Sequence, residues 1–446
     1  MFKSLFLIFF ALSGLLESKT IMVVGTQFGD EGKGKFTDLL SQKADAVVRG
    51  QGGSNAGHTI LVNDVELKLH LIPSGIIHDG VKCYIGGDCV INPQKFFEEL
   101  EDLSSKGISF DNRLWISPFA HVLLPYHVLL DELEEERRGD DKIGTTGQGI
   151  GPCYQDKASR NGIRVIDLLD AERFKKLVNR RLNDINNQLV NLYGRLPLEK
   201  EQMISLFLGF GERLRPFVNK VEEMVELHTQ KGDFVVIEGA QASLLDNTYG
   251  FYPKVTSSFT SASGILHGTG LSPRSVGHIL GVVKAYMTMC GNGVFPTETK
   301  CEEQFLNNQI GREVGVTDGK NRRIGWFDVP LTRLGIRLAG ADSLALTKLD
   351  IFDSLDEIKV CTHYLDKKGN RYSDLSELDF LLKDIEPVYV TFPGWKLDIT
   401  KAKTFDELPE EARNYVRSLE VYLGKPISFV SVGPDRNQTI TLKNIL

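Results

Sequence analysis

The residues best suited to chemistry sit in Gly25-Thr-Gln-Phe-Gly-Asp-Glu-Gly-Lys-Gly-Lys35. Glycines at 25, 29, 32 and 34 free the backbone to approach an anion closely, and a helix starting just beyond them would offer unpaired N–H donors. Lys33 and Lys35 add positive charge for phosphates. The run is not the usual P-loop. Counted back from Gly32-Lys33, that pattern needs glycine at Gln27 and a hydroxyl residue at Gly34. The missing hydroxyl is the common magnesium ligand, and Asp30 is the nearby oxygen donor able to take its place. Taken alone, the segment has a second, less favoured reading as a glycine-rich turn with solvated charges.

A second run, Gln51-Gly-Gly-Ser-Asn-Ala-Gly-His-Thr59, follows. Together the two resemble the paired signatures of adenylosuccinate synthetases, G-T-Q-W-G-D-E-G-K-G-K and Q-G-G-x-N-A-G-H-T, with Phe28 standing for Trp. Replacing a purine 6-oxygen by an amine requires that oxygen to become a leaving group. Phosphorylation from GTP does this, aided by a base that removes the N1 proton and a cation that stabilises charge on O6. The resemblance implies Asp30 as base and His58 as acid and electrostatic partner, with Lys33 and Gln241 completing the catalytic set. It also implies one Mg²⁺ held by the Asp30 carboxylate and the Gly57 carbonyl, a hard-oxygen site that suits the ion. GTP contacts would come from Gly29, Glu31, Gly32, Lys33, Gly34 and Lys35, and from Gly57, His58 and Thr59.

Further matches extend along the chain. Lys142-Ile-Gly-Thr-Thr-Gly-Gln-Gly-Ile-Gly-Pro152 is similar to a family segment for a nucleotide 5′-phosphate, with Thr146 its contact. Arg160 matches an arginine that reaches the neighbouring subunit's nucleotide, implying a homodimer. Glu238-Gly-Ala-Gln241 and Val255-Thr-Ser-Ser258 match nucleotide contacts through Gln241 and Thr256. With Asp30, Asn55, Ala56, Gly57 and Lys320 these form the expected IMP set. Thr347-Lys-Leu-Asp350 resembles a guanine-reading element. An aspartate such as Asp350 accepts from guanine N1–H and the 2-amino group, which adenine lacks, and the Lys348 stem packs over the base. Ser431, Gly433 and Pro434 would close over the same base, making GTP the co-substrate. Thr317, Asp318, Lys320 and Arg322 form the expected aspartate set.

The elements that must position these residues are legible as alternation. Thr20–Gly25 reads as a buried strand, and similar apolar runs recur at 46–49, 83–85, 114–116, 234–237, 277–283 and 343–347. Amphipathic helical stretches separate several of them, notably 170–193 and 199–229. Such alternation predicts an α/β fold with a large, mainly parallel central sheet flanked by helices, with loop and small subdomain excursions. With no low-complexity linker or repeat, residues 20–446 are expected to form one ligase domain behind a leader over 1–19. The 446 residues are 41% hydrophobic and 25% charged with a net charge of -7, which excludes a clustered basic nucleic-acid surface. Six cysteines without CxxC spacing make neither a disulfide framework nor a zinc site. Leu5–Leu16 is an apolar run behind Lys3, too short to span a bilayer comfortably. It fits an export signal, a membrane-proximal anchor or an upstream extension from a misplaced start. Dependence on GTP favours a cytoplasmic protein without stable membrane association, with export the alternative.

Several positions depart from the family pattern. Where V-T-T-G-R-x-R-R is usual, Asp318 replaces a threonine and Lys320 an arginine in Val316-Thr-Asp-Gly-Lys-Asn-Arg-Arg323. Lysine does not grip a carboxylate with two N–H groups as arginine does, and a new carboxylate repels the substrate's own. Met289 stands for Arg, Ser54 for His and Phe259 for Asn. Three readings stay open: an aspartate ligase with drifted contacts, a paralogue using another amine or purine nucleotide, and a regulatory binder. Asp30, His58 and Lys33 weigh against the third.

Overall fold

The computed structural model describes residues 19–62, 65–299, 313–315, 319–374 and 384–446. The leader and the expected aspartate contacts Thr317 and Asp318 lie outside the described residues. Ten strands form the central sheet: β1 (Thr20–Gly25), β2 (Ala46–Gly52), β3 (Lys82–Ile91), β4 (Leu114–Ile116), β5 (His121–Val122), β6 (Val235–Glu238), β7 (His278–Lys284), β8 (Ser343–Thr347), β9 (Ile427–Ser431) and β10 (Thr439–Thr441). Their order is β10-β9-β8-β7-β1-β6-β2-β3-β4, with β5 on the end of β3. Every pairing is parallel except β9 with β10.

The strands read as continuous apolar runs because helices cover both sheet faces. Ile21, Val23, Val47, Val236 and Leu280 point into one core; Met22, Val24, Val48, Val235 and Val283 point into another. That split follows from the two-residue period of a strand. Phe36 and Leu40 of helix α1 (Lys33–Ser41) fill the first core, and Ile336, Ala339, Tyr415 and Leu419 from two later helices fill the second.

Each apolar run expected to be a strand joins this sheet. The expected helix over 170–193 forms as Ala171–Tyr193, capped by the Asp170 side chain on Arg173 N. The stretch expected to be helical over 199–229 divides into Lys200–Leu214 and Val221–Lys231 around a short 3₁₀ turn. Pro216 sits in that turn; it has no N–H to give and its ring disfavours helix before it.

A parallel sheet sends all its strand carboxyl ends to one rim, where loops can converge. Beyond β1 comes the glycine-rich turn, beyond β2 the Gly53–Gly57 turn, and beyond β6 the Gly239–Gln241 turn. Lys284 ends β7, Lys348–Asp350 follow β8, and Ser431–Pro434 lie at the end of β9. Sequence segments hundreds of residues apart thereby share one face.

Candidate active site

The glycine-rich turn is organised by Glu31. Its fully buried carboxylate accepts from Gln27 N at 3.1 Å and Gly29 N at 2.9 Å, and from Lys33 Nζ at 2.7 Å. Gly25 is obligatory beside it: a Cβ there would lie 2.6 Å from Glu31 Oε2. Gly32, at φ 84°, lets the chain turn into α1. Asp30 adopts φ 59°, a left-handed conformation unusual for a residue with a side chain, and its carboxylate opens to the cavity with 36% exposure. The Glu31 side chain therefore braces the loop from within.

The second turn is held by Arg49, buried within β2. Its guanidinium donates to Gly53 O at 3.2 Å and to His70 O. Gln51 exchanges hydrogen bonds with Ala240, donating to its O at 2.9 Å and accepting from its N at 3.0 Å, which fastens the His58 turn to the Gln241 turn. His58 Nδ1 contacts Glu238, whose carboxylate also accepts from Ser74 N at 2.7 Å and Ser74 Oγ at 2.6 Å. Burial raises the Glu238 pKa, but His58, Arg49 and Ser74 together hold it below the usual carboxylate value. An ionised Glu238 accepts only, so Nδ1 keeps its proton and donates to Glu238, which leaves His58 Nε2 aimed elsewhere. That Nε2 is buried without a hydrogen-bond partner among the described residues, as are both amide atoms of Gln241. Burial lowers the His58 pKa against the pull of Glu238, with Arg49 and Lys33 adding to the depression, so the imidazole is neutral at pH 7.

These groups line a cavity of about 440 Å³. It gathers Gly29, Asp30 and Lys33 from the first turn, Asn55, Ala56, Gly57 and His58 from the second, and Thr146, Gln241, Thr256 and Arg322 from farther along. Buried polar atoms with nothing to bond in the protein mark where a polar ligand belongs. Asp30 Oδ2 accepts from Arg322 Nε at 2.8 Å. Burial raises the Asp30 pKa, yet Arg322, Lys284 and Lys33 bring it below the ordinary value, so Asp30 is ionised at neutral pH.

The residues expected to contact guanine do not line this cavity, and Lys35 links the loop after β9 to the glycine-rich turn. The Lys35 ammonium donates to Ser431 Oγ at 2.7 Å, Gly433 O at 2.8 Å and Gln438 O at 2.9 Å. Burial lowers its pKa to about 7, against the opposing charges of Asp350, Asp435 and Asp38. Its role in this structure is to tie the β9 loop to the phosphate turn. Lys348, at φ 57°, has its ammonium 2.5 Å from Glu313 Oε1. Thr59 is exposed on the hairpin pairing His58–Val62 with Val65–Leu69. Arg160 is exposed at φ 64° in the turn after the Ile150–Ala158 helix and does not line its own chain's cavity. Lys320 is exposed, with Nζ 3.5 Å from Thr145 O.

Asp30 and Gly57 both border the cavity, and between them they have a carboxylate and a backbone oxygen to offer a metal ion. Among the described residues no group of three or more His, Cys, Asp or Glu could hold a metal alone. That donor set fits Mg²⁺, which typically takes one or two carboxylates and completes its shell with phosphates and water.

Three groups escaped the sequence reading. Glu238 was visible only as the first letter of the Gln241 motif. Lys284 and Glu313, a buried pair 3.3 Å apart beside the phosphate turn, carry no local signature. Glu135, whose carboxylate accepts from Ile143, Gly144 and Thr145 N–H at 3.0, 2.7 and 3.2 Å, is the internal brace of the expected 5′-phosphate loop. The Met289 and Phe28 departures share one apolar cluster with Phe251 and Phe295; Phe28 packs 5.4 Å from the Phe251 ring.

Fold and site together define an α/β nucleotide-dependent enzyme with a phosphate turn distinct from the P-loop. A family profile described as adenylosuccinate synthetase matches residues 22–440. Adenylosuccinate synthetase from Heliobacterium modesticaldum is 47% identical over 428 residues, covering 95% of this chain and 99% of that protein. The Saccharophagus degradans enzyme of the same name is 44% identical over 426 residues, covering 96% and 99%. A fully ligated adenylosuccinate synthetase structure from Plasmodium falciparum superposes with TM-score 0.89 at 37% identity, covering 95% of this chain and 99% of that one. The chain belongs to the adenylosuccinate synthetase family. As a member it is a GTP-dependent ligase acting on IMP and aspartate.

Proposed function

We propose that the cavity bounded by Asp30, His58, Gln241 and Arg322 is where this ligase joins L-aspartate to IMP. Asp30 removes the N1 proton of IMP, and O6 attacks the γ-phosphorus of GTP, forming 6-phosphoryl-IMP and releasing GDP. The aspartate amine then attacks C6, phosphate leaves with the former O6, and the amine proton is lost, giving adenylosuccinate. The observation carrying this reading is the convergence of an ionised carboxylate with the buried, unengaged His58 Nε2 and Gln241 amide on one cavity.

His58 acts through its tautomer. With Nδ1–H committed to Glu238, Nε2 presents a lone pair while the ring is neutral. Anionic phosphates beside it raise its pKa and favour the imidazolium, whose Nε2–H donates to charge developing on O6. Lys33, held by Glu31, supplies a fixed positive charge at the start of α1. The Gln241 amide has two donors and an acceptor for the substrate's polar edge. Arg322 grips the aspartate carboxylate, with Lys320 beside it. Mg²⁺, when held by Asp30 and Gly57 O with ligand phosphates, neutralises phosphate charge.

Lys348 and Asp350 read guanine, with Ser431, Gly433 and Pro434 closing over it. Thr146 and Thr256 hold the IMP phosphate end, and the exposed Arg160 reaches the partner's nucleotide in a homodimer. We place the protein in the cytoplasm; among the described residues no helix is long and apolar enough to cross a membrane. The test mixes purified protein, Mg²⁺, GTP and IMP with aspartate and follows GDP release. Saturable aspartate-dependent turnover is expected. Turnover with another amine but none with aspartate would replace this reading by the paralogue.

A further inference from the structure

Residues 313–315 and 320–322 form a short stem in which Val314 pairs with Asn321, Gly315 N donates to Lys320 O at 2.9 Å, and Arg322 N donates to Glu313 O at 2.9 Å. The backbone of Arg322 is thus fixed to Glu313. The Glu313 side chain turns inward and is buried. Its Oε1 accepts from Lys348 Nζ at 2.5 Å and from the Tyr286 hydroxyl, and its Oε2 lies 3.3 Å from Lys284 Nζ.

Each partner belongs to a different part of the site. Lys348 begins the turn that carries Asp350. Lys284 ends β7, exchanges backbone hydrogen bonds with the Gln27 side chain of the phosphate turn at 3.0 and 3.2 Å, and its charge helps to hold Asp30 ionised. Lys284 is wholly buried and donates to Thr288 Oγ1 at 2.7 Å. One carboxylate therefore touches the Lys348 turn and the end of β7 that holds Gln27 of the glycine-rich turn, and its residue's backbone holds Arg322, which pairs with Asp30. Lys348 is the least constrained of the three donors, with its side chain 35% exposed.

We propose that Glu313 is a positioning residue that couples guanine occupancy at Lys348–Asp350 to the presentation of Arg322 toward the amino acid. This rests on the guanine and aspartate assignments above. A base lying against the Lys348 stem fixes the ammonium that Glu313 accepts from. A fixed Glu313 carboxylate fixes its backbone carbonyl, and hence the Arg322 N–H. Because Lys284 and Tyr286 hold the same carboxylate, a displacement at Lys348 rotates it about those two anchors instead of releasing it. Coupling of this kind is reciprocal and is measured by equilibrium binding.

The experiment titrates aspartate into protein saturated with IMP, with and without GDP, which carries guanine but cannot phosphorylate. In the unaltered protein GDP is expected to tighten aspartate binding by about tenfold, within the ordinary range for coupled sites. In Glu313→Gln the factor falls to within about twofold of unity, since the neutral amide no longer holds both lysines. Glu313→Asp, which keeps the charge, restores part of it. Thermal melts establish that each variant is folded; should Glu313→Gln not fold, Tyr286→Phe, which removes one donor and no charge, carries the comparison and shows a reduced factor. An unchanged factor in a folded Glu313→Gln, or weaker aspartate binding with the same factor, assigns Glu313 a purely structural part and overturns the coupling. A factor of one in the unaltered protein overturns it too. Absence of turnover with GTP, IMP and aspartate would instead strike the functional assignment, so the two failures are distinguishable.

Discussion

Arg322 Nε lies 2.8 Å from Asp30 Oδ2, pairing the group proposed to grip the incoming amino acid with the group proposed to accept the purine proton. The pair spans 292 residues of sequence. It also sets up a competition: Arg322 cannot offer its Nε–Nη2 edge to an aspartate carboxylate while its Nε–H is given to Asp30. When Arg322 turns to the substrate, Asp30 loses its nearest positive neighbour and becomes more basic.

Asp30→Asn is expected to lower turnover by about 10³-fold or more, the scale of losing a positioned base. GTP binding measured without Mg²⁺ should stay within a few-fold, because Glu31 and not Asp30 braces the loop. Single-turnover GDP release beside nucleotide titration checks both; near-normal rates would remove Asp30 as base.

Arg322→Met should raise KM for aspartate by about tenfold or more through loss of a charge-assisted hydrogen bond, with little change in KM for IMP. Removing the cation raises the Asp30 pKa, so the acidic limb of the kcat/KM profile, which reports the free enzyme, should move to higher pH. A profile that stays put or moves to lower pH would show that Arg322 does not tune Asp30.

Glu238→Gln should reduce kcat by about 10²-fold while leaving KM values near normal. A glutamine amide can donate to Nδ1, reversing the tautomer and spoiling the Nε2 presentation. NMR of the His58 ring reports the tautomer directly, and an unaltered ring signal with normal kcat would exclude Glu238 from this role.

Lys320→Arg is expected to tighten aspartate binding several-fold, because a planar fork replaces a point charge near a carboxylate. Steady-state KM for aspartate is the measurement. No change would mean that Lys320, now near Thr145, does not reach the amino acid.

Glu313 carries a pH signature in stability. Burial opposes its ionisation, but Lys284 and Lys348 lower its pKa to about 2 from 4.5. A depressed carboxylate contributes stability above its unfolded value and loses it as pH falls through the folded one, here between pH 4.5 and 2. The shift corresponds to about 3 kcal/mol. The Tm gap between the unaltered protein and Glu313→Gln should be widest near neutrality and shrink across that window.

What the sequence determined alone was the chemistry of its contiguous segments. The glycine pattern of residues 25–35, the turn ending in His58 and the strand before Lys348 are local, because backbone freedom and strand periodicity are written in neighbouring residues. The parallel sheet was legible for the same reason: β1, β2, β6 and β8 are buried on both faces and carry apolar cores, with polar residues near their ends. Pro216 shows the limit of periodicity, since the apolar spacing runs across it and the backbone does not.

Tertiary structure alone decided which side chains spend themselves on each other. Lys35 and Glu31 read in sequence as nucleotide contacts, whereas folding directs the first to three oxygens of the β9 loop and the second to amides of its own turn. Glu238 behind His58, and Glu313 among Lys284, Lys348 and Tyr286, have no sequence signal because their partners are 164 to 180 and 27 to 35 residues away. A buried charge acquires its role from whatever the sheet order brings beside it, and that order is a property of the whole chain.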